Sequence, residues 1–216
     1  MSALAQERAL EDWLAKGLRC IGHIAIECGD DGTFSLSHRE DGARQNLTAY
    51  GAAADAGEVA RFDDAGNYRP LKTAPTLRHG WKLALENLNA LRAALDLFYP
   101  GRLAALFAFE NGELVATPFR ETLGRQSGMY RVAAQIDEEQ AEKLIGDFCR
   151  SDGGCLRTIL WRRDQTGTPP SAKLPAEKFD LRHDQTGLGA PVIPLLCQEA
   201  CSLLVAEARR VVQEKR

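Results

Sequence analysis

Cys149-Arg150-Ser151-Asp152-Gly153-Gly154-Cys155 and, after 41 intervening residues, Cys197-Gln198-Glu199-Ala200-Cys201 carry most of the information in this 216-residue chain. Two close pairs of thiols around a long connection can deliver four thiolates to one point, the donor set of an inorganic centre. The second pair is spaced i, i+4, so at the start of a final helix both sulfurs would leave the same side. They extend an apolar stripe, Leu204, Val205, Ala208, Val211 and Val212, that turns this side inward. Cys149 lies one position beyond Phe148, the end of another stripe through Ala141, Leu144 and Ile145. Gly153 and Gly154 let backbone amides come close to sulfur. Zinc knuckles usually leave two to four residues between ligands, so the five-residue gap favours a [4Fe-4S] cluster on Cys149, Cys155, Cys197 and Cys201. Structural zinc on the same thiolates, and four thiols acting as core filler, stay open as alternatives.

Working outward, Asp137 with Gln140 three residues on is a capping-box pattern at the head of the Ala141–Phe148 stripe. From Asp164 to Pro194 the chain turns to Gly, Pro and polar residues, a long loop whose ends the cysteines would close. Upstream, Leu85, Leu88, Leu91, Leu95 and Phe98 predict a helix stopped by Pro100-Gly101. Leu103–Glu110 and Glu113–Thr117 flank Asn111-Gly112, which predicts a hairpin. Near the N-terminus, Ser2 can cap a helix through Leu10, Trp13 and Leu14 that ends at Gly17. Cys20 to Cys28 reads as one strand, with Cys20, Gly22, Ile24, Ile26 and Cys28 on one face and both thiols as core filler. Gly29-Asp30-Asp31-Gly32 turns it into a second strand, Thr33–His38, and Ala52–Phe62 can hold a short helix. Strands and helices come in clusters, so the expected class is α+β, with small antiparallel sheets and packed helices.

The composition, 44% hydrophobic and 26% charged, is that of a folded globular chain. A net charge of −3 offers no general field for nucleic acid or an anionic membrane surface. No apolar run reaches the ~20 residues of a membrane span. Glu7, Glu11 and Asp12 break any secretory leader, so a cytoplasmic protein with unpaired thiols is expected. Residues 141–216 carry +2 and the rest −5. A four-thiolate cluster is negative, and Arg150, Arg157, Arg162 and Arg163 are the nearest compensating charges. No phosphate loop or nucleophile elbow is present, and no catalytic residue is assigned. His23, His38, His79 and His183 lack the close helical spacing of a metal motif, so none is assigned as a ligand.

The Cys-x5-Cys and Cys-x3-Cys spacing is similar to the cluster motif of sirohaem-containing sulfite and nitrite reductases. In that family the final cysteine also bridges to the sirohaem iron, so the resemblance marks Cys201 as the corresponding position. A broader resemblance runs from Tyr68 to the C-terminus. It is carried by Tyr68-Arg69-Pro70-Leu71-Lys72-Thr73-Ala74-Pro75-Thr76-Leu77 with Gly80-Trp81, Phe98-Tyr99-Pro100, Arg120-Glu121-Thr122-Leu123, Arg125-Gln126-Ser127-Gly128-Met129-Tyr130, and Cys155-Leu156 with Trp161. On these segments the chain resembles the iron-sulfur and stabilising domains associated with small sirohydrochlorin-type cobalt chelatases, here without the chelatase domain. The resemblance implies an N-terminal α+β stabilising domain over 1–135. Over 136–216 it implies a helical domain with a [4Fe-4S] cluster on the four cysteines and the long loop 164–194. It implies an accessory role in cobalamin or sirohaem synthesis, with a separate chelatase subunit or redox partner, rather than cobalt insertion by this chain alone.

Tetrapyrrole precursors carry many carboxylates, and guanidinium groups bind carboxylates in forked pairs. Arg120, Arg125, Gln126 and Tyr130 are therefore candidate contacts for an anionic ligand, with Glu121 among them and Arg69, Lys72, Arg78 and His79 as additions. The competing reading of these groups is an ion-paired surface. Two further functions stay open: a zinc-stapled interaction module, and a free-standing electron carrier unrelated to tetrapyrroles.

Overall fold

The computed structural model of the chain describes residues 3–63, 65–68, 77–111, 114–116, 119–124, 131–149, 157–163, 192–193, 195–197, 200 and 202–215. Helix α1 (Ala3–Ala15) is followed by strands β1 (Cys20–Ile21), β2 (Ile24–Cys28), β3 (Phe34–His38) and β4 (Thr48–Tyr50). Next come helix α2 (Asp55–Val59), strand β5 (Trp81–Leu85), and helices α3 (Leu88–Phe98) and α4 (Arg102–Glu110). The second part contains β6 (Leu114–Ala116), α5 (Phe119–Gly124), a 3-10 turn at Ala133–Gln135, α6 (Glu138–Cys149), β7 (Arg157–Arg163), β8 (Val192–Ile193), β9 (Leu195–Cys197) and α7 (Ser202–Glu214). The class is α+β, and both sheets mix parallel with antiparallel pairs.

The first sheet runs β4-β5-β3-β2-β1-β8. Its inner face is Ile24, Ile26, Leu36, Trp81, Leu83 and Leu85, all buried, and the outward positions Glu27, Lys82 and Ala84 are exposed. That alternation is the period-two signature of a sheet covered on one side. Helices α1 to α4 supply the cover. Trp81 stacks on Phe98 with ring centroids 5.0 Å apart, and Trp13 stacks on Phe107 at 4.7 Å. The second core is built by α5, the 3-10 turn, α6 and α7, through Leu123, Ile136, Leu144, Ile145, Leu204 and Ala208. The second sheet, β6-β7-β9, joins the two parts, because α4 packs on β9 and α6 on β7.

Several local readings hold. Gly17 ends α1 at φ 84°, and the turn before Thr33 is locked by Asp31, whose Oδ1 accepts from the Thr33 amide at 3.1 Å and its hydroxyl at 2.6 Å. The capping box forms in full: Asp137 Oδ1 accepts from the Gln140 amide at 2.8 Å, and Gln140 Oε1 from the Asp137 amide at 3.0 Å. Ser2 and most of the 164–194 loop lie outside the described residues.

Three readings are corrected. Leu103–Glu110 is not a hairpin strand but helix α4, with Leu103, Leu106 and Phe107 buried at i, i+3 and i+4. Cys20–Cys28 is two antiparallel strands folded at Gly22-His23, with Ile21 opposite Ile24. Gly22 has φ 57°, the first position of a tight two-residue hairpin loop, and the Tyr99 hydroxyl accepts from the His23 amide at 2.9 Å. The turn sets Cys20 opposite Ala25, off the face of Ile24 and Ile26, where it is only partly covered, and Cys28, the last residue of β2, is exposed. Leu85 belongs to β5 rather than to the helical stripe, since Asn87 caps α3 by accepting from the Ala90 amide at 2.9 Å.

Candidate iron-sulfur centre

The elements that carry Cys149 and Cys197 both adjoin one strand, β7. Cys149 is the last residue of α6, and Cys197 is the last of β9. β9 runs parallel to β7, with Leu195 opposite Arg157 and Cys197 opposite Leu160. α6 packs on both β7 and α7. Cys155, two residues ahead of β7, and Cys201, one residue ahead of α7, lie outside the described residues. One expectation changes here. Cys197 and Cys201 do not share a helical turn, because Cys197 closes a strand and the helix starts at Ser202. Proline at position 194 and the run Val192-Ile193 and Leu195-Leu196 favour extended chain, and ladder pairing to β7 holds Cys197 in it.

The core between α6 and α7 is apolar. Leu144, Ile145, Leu204 and Ala208 are buried between α6 and α7, with Ala200 just ahead of α7. Lys215 Nζ reaches Asp137 Oδ2 at 3.0 Å, so the far end of α7 is tied to the head of α6. The Gln140 amide, followed by Lys215, holds the Asp137 carboxyl below its ordinary range. On the outer side of α7, Arg210 pairs with both Glu207 and Glu214.

Of the anionic-ligand candidates, Arg120 is exposed on α5, with its Nη1 3.7 Å from Glu138 Oε2. Arg125, Gln126 and Tyr130 lie outside the described residues. Arg78 bonds the Tyr50 hydroxyl at 2.8 Å, and Trp81 is a core residue whose indole N–H donates to the Arg78 carbonyl at 2.7 Å.

The structure also gathers residues that sequence spacing did not connect. His38, Asp41 and His79 each place a ligand-type atom within 4.8 Å of the others. His79 Nδ1 is 3.2 Å from Asp41 Oδ1, and the His38 and His79 ring centroids are 3.8 Å apart. His38 is buried, and that burial, with a further push from His79, takes its pKa down to about 4 against the opposing pull of Glu40 and Asp41. His23 also stacks on His38, with ring centroids 5.4 Å apart. Pairing of β3 with β5, Ser37 opposite Lys82, makes this cluster, and no local spacing announces it. Only the positions in the fold relate them: His38 closes β3, His23 sits in the β1–β2 turn and His79 lies two residues ahead of β5.

Comparison with known proteins follows the division into two cores. Residues 111–210 match the family model of a 4Fe-4S iron-sulfur cluster binding domain, and residues 6–110 match that of the DR2241 stabilising domain. The two matches together span residues 6–210, and all four cysteines fall within the match to the cluster-binding domain. Among solved structures it is similar to DR2241 from Deinococcus radiodurans, described as a multi-domain protein with structural similarity to chelatases but also with two additional novel domains. The two are 27% identical with a TM-score of 0.66, and the match covers 99% of this chain but 42% of DR2241. The chain thus spans less than half the length of that protein. No curated protein matches it. Among the described residues no helix is long and apolar enough to cross a membrane.

Proposed function

We propose that this chain is a [4Fe-4S] accessory protein of a tetrapyrrole chelatase system, holding its cluster on Cys149, Cys155, Cys197 and Cys201. The donor set fits the group: four cysteines, two of them at the ends of α6 and β9, which both adjoin β7. That juxtaposition inside the matched cluster-binding domain is the observation that carries the reading. When bound, such a cluster supplies one-electron chemistry or a cross-link between chain segments. The chain's own part is to hold α6, β7, β9 and α7 together on an apolar core.

The chelatase link rests on the stabilising domain and on the description of DR2241. Arg120 supports an anionic ligand such as sirohydrochlorin, because an exposed ion pair with Glu138, worth about 0–1 kcal/mol, is easily exchanged for a ligand carboxylate. A separate chelatase subunit or an electron donor is the partner this role needs.

Protein purified without oxygen should contain about four irons and four sulfides per chain. Cys149→Ala and Cys201→Ala should each lose them, together with the brown colour. About one zinc with no sulfide would replace the cluster by a zinc staple. Sirohydrochlorin binding that is weakened by Arg120→Ala or Arg125→Ala supports the tetrapyrrole role; absence of binding removes it and leaves an electron carrier.

A further inference from the structure

We propose that His38, Asp41 and His79 form a second metal site, for a divalent first-row transition ion of the Zn2+ class, independent of the four cysteines. Two imidazoles and a carboxylate are the donors such ions take when one or more positions stay open to water or another ligand. Ligand atoms about 2.0–2.1 Å from a tetrahedral ion stand about 3.3 Å apart. His79 Nδ1 and Asp41 Oδ1 are already 3.2 Å apart. Every separation in the set is within 4.8 Å, so closure asks at most about 1.5 Å of movement.

The surroundings fit a cation better than a plain polar contact. Asp41 has a side chain 1% exposed, and a carboxylate that deep needs a positive partner. Its Oδ2 is held by the Gly80 amide at 2.6 Å, which orients it as the outer hydrogen bonds of metal ligands do, while Oδ1 faces the two rings. Arg44 Nε reaches Oδ1 at 3.3 Å, but its side chain is half-exposed and can swing into solvent as an ion enters. His38 Nδ1 accepts from the Glu40 amide at 3.2 Å, a bond that an ion taking that nitrogen would replace, and the Glu40 carboxylate stands 3.9 Å from His79 Nε2. An Asp41–His79 hydrogen bond alone would account for two of the groups. It leaves unexplained why a third donor, His38, is buried against them.

The test uses protein carrying its iron-sulfur cluster, so that the cysteines are occupied, and Zn2+ alone as probe, titrated against a chromophoric chelator. The expected result is one zinc per chain above the cluster metal, with affinity at least tenfold weaker in His79→Ala, whose side chain is partly exposed and lies outside the hydrophobic core. Zinc absorption spectra of the unsubstituted protein should show nitrogen and oxygen neighbours at about 2.0–2.1 Å. Sulfur neighbours at about 2.3 Å, no zinc beyond the cluster, or unchanged affinity in His79→Ala overturns the proposal. Iron and sulfide counted in the same samples keep this outcome separate from that for the cluster.

Discussion

Replacing Leu204 by alanine should loosen the whole cluster-bearing half of the protein. Leu204 is 1% exposed on α7 and belongs to the core shared with Leu144 and Ile145 of α6. The substitution removes three carbon groups, and at about 0.8 kcal/mol for each the transfer loss is about 2.4 kcal/mol. A residual cavity adds to this, which brings the expected cost to about 3–4 kcal/mol, within the range of buried leucine truncations. Since about 1.4 kcal/mol is tenfold in an equilibrium constant, opening of the α6–α7 pair should rise more than 100-fold. The assay is anaerobic urea denaturation followed by cluster absorbance, with the rate of iron loss to a chelator in native buffer as a second reading. Leu203→Ala, at the neighbouring position and 45% exposed, is the control and should stay within about 0.5 kcal/mol of the parent. A Leu204→Ala protein with an unshifted midpoint, or one whose loss merely equals that of Leu203→Ala, would refute the assignment of this core as what holds the cysteine-bearing elements.

Two further outcomes are expected. In cluster-loaded protein a thiol reagent should label Cys28 first, because it is exposed, and Cys20 slowly, because burial raises its pKa against the opposing pull of Arg39; equal rates by peptide mapping would contradict the folded-back β1–β2 geometry. Asp137 has a folded-state pKa below its unfolded value, so its contribution to α6 is complete above the ordinary carboxylate range near ~4 and is lost as pH falls through the lowered folded value. Thermal melts across acid pH should show a shallower acid limb in Asp137→Asn than in the parent, and identical slopes would exclude the cap as a source of acid sensitivity.

What could be read from the sequence was what local chemistry determines. The Asp137–Gln140 box, the Gly29–Gly32 turn and the α7 stripe each depend on residues within a few positions of one another, and each formed as expected. Leu103–Glu110 failed because an eight-residue run rich in apolar side chains satisfies both helical and extended templates, and the Asn111-Gly112 pair tipped the reading towards a hairpin. Leu85 failed because its distance from Leu88 mimics a helical repeat, whereas β3 pairing claims it for a strand. Cys197 was placed on a helix by its spacing from Cys201, and a ladder to β7 decided otherwise. The same logic hid the histidine cluster: His38 and His79 are 41 positions apart and meet only because β3 lies beside β5.

Strand β8 carries a consequence for how this protein could have been assembled from parts. Val192 and Ile193 belong to the segment matched as cluster-binding, yet they complete the outer side of the first sheet by pairing with Cys20 and Ile21. A gene fragment ending after residue 110 would leave β1 with a bare backbone margin, open to pairing with another copy of itself. The two halves are therefore interleaved rather than strung in series, and exchange between relatives that preserves folding must carry both together.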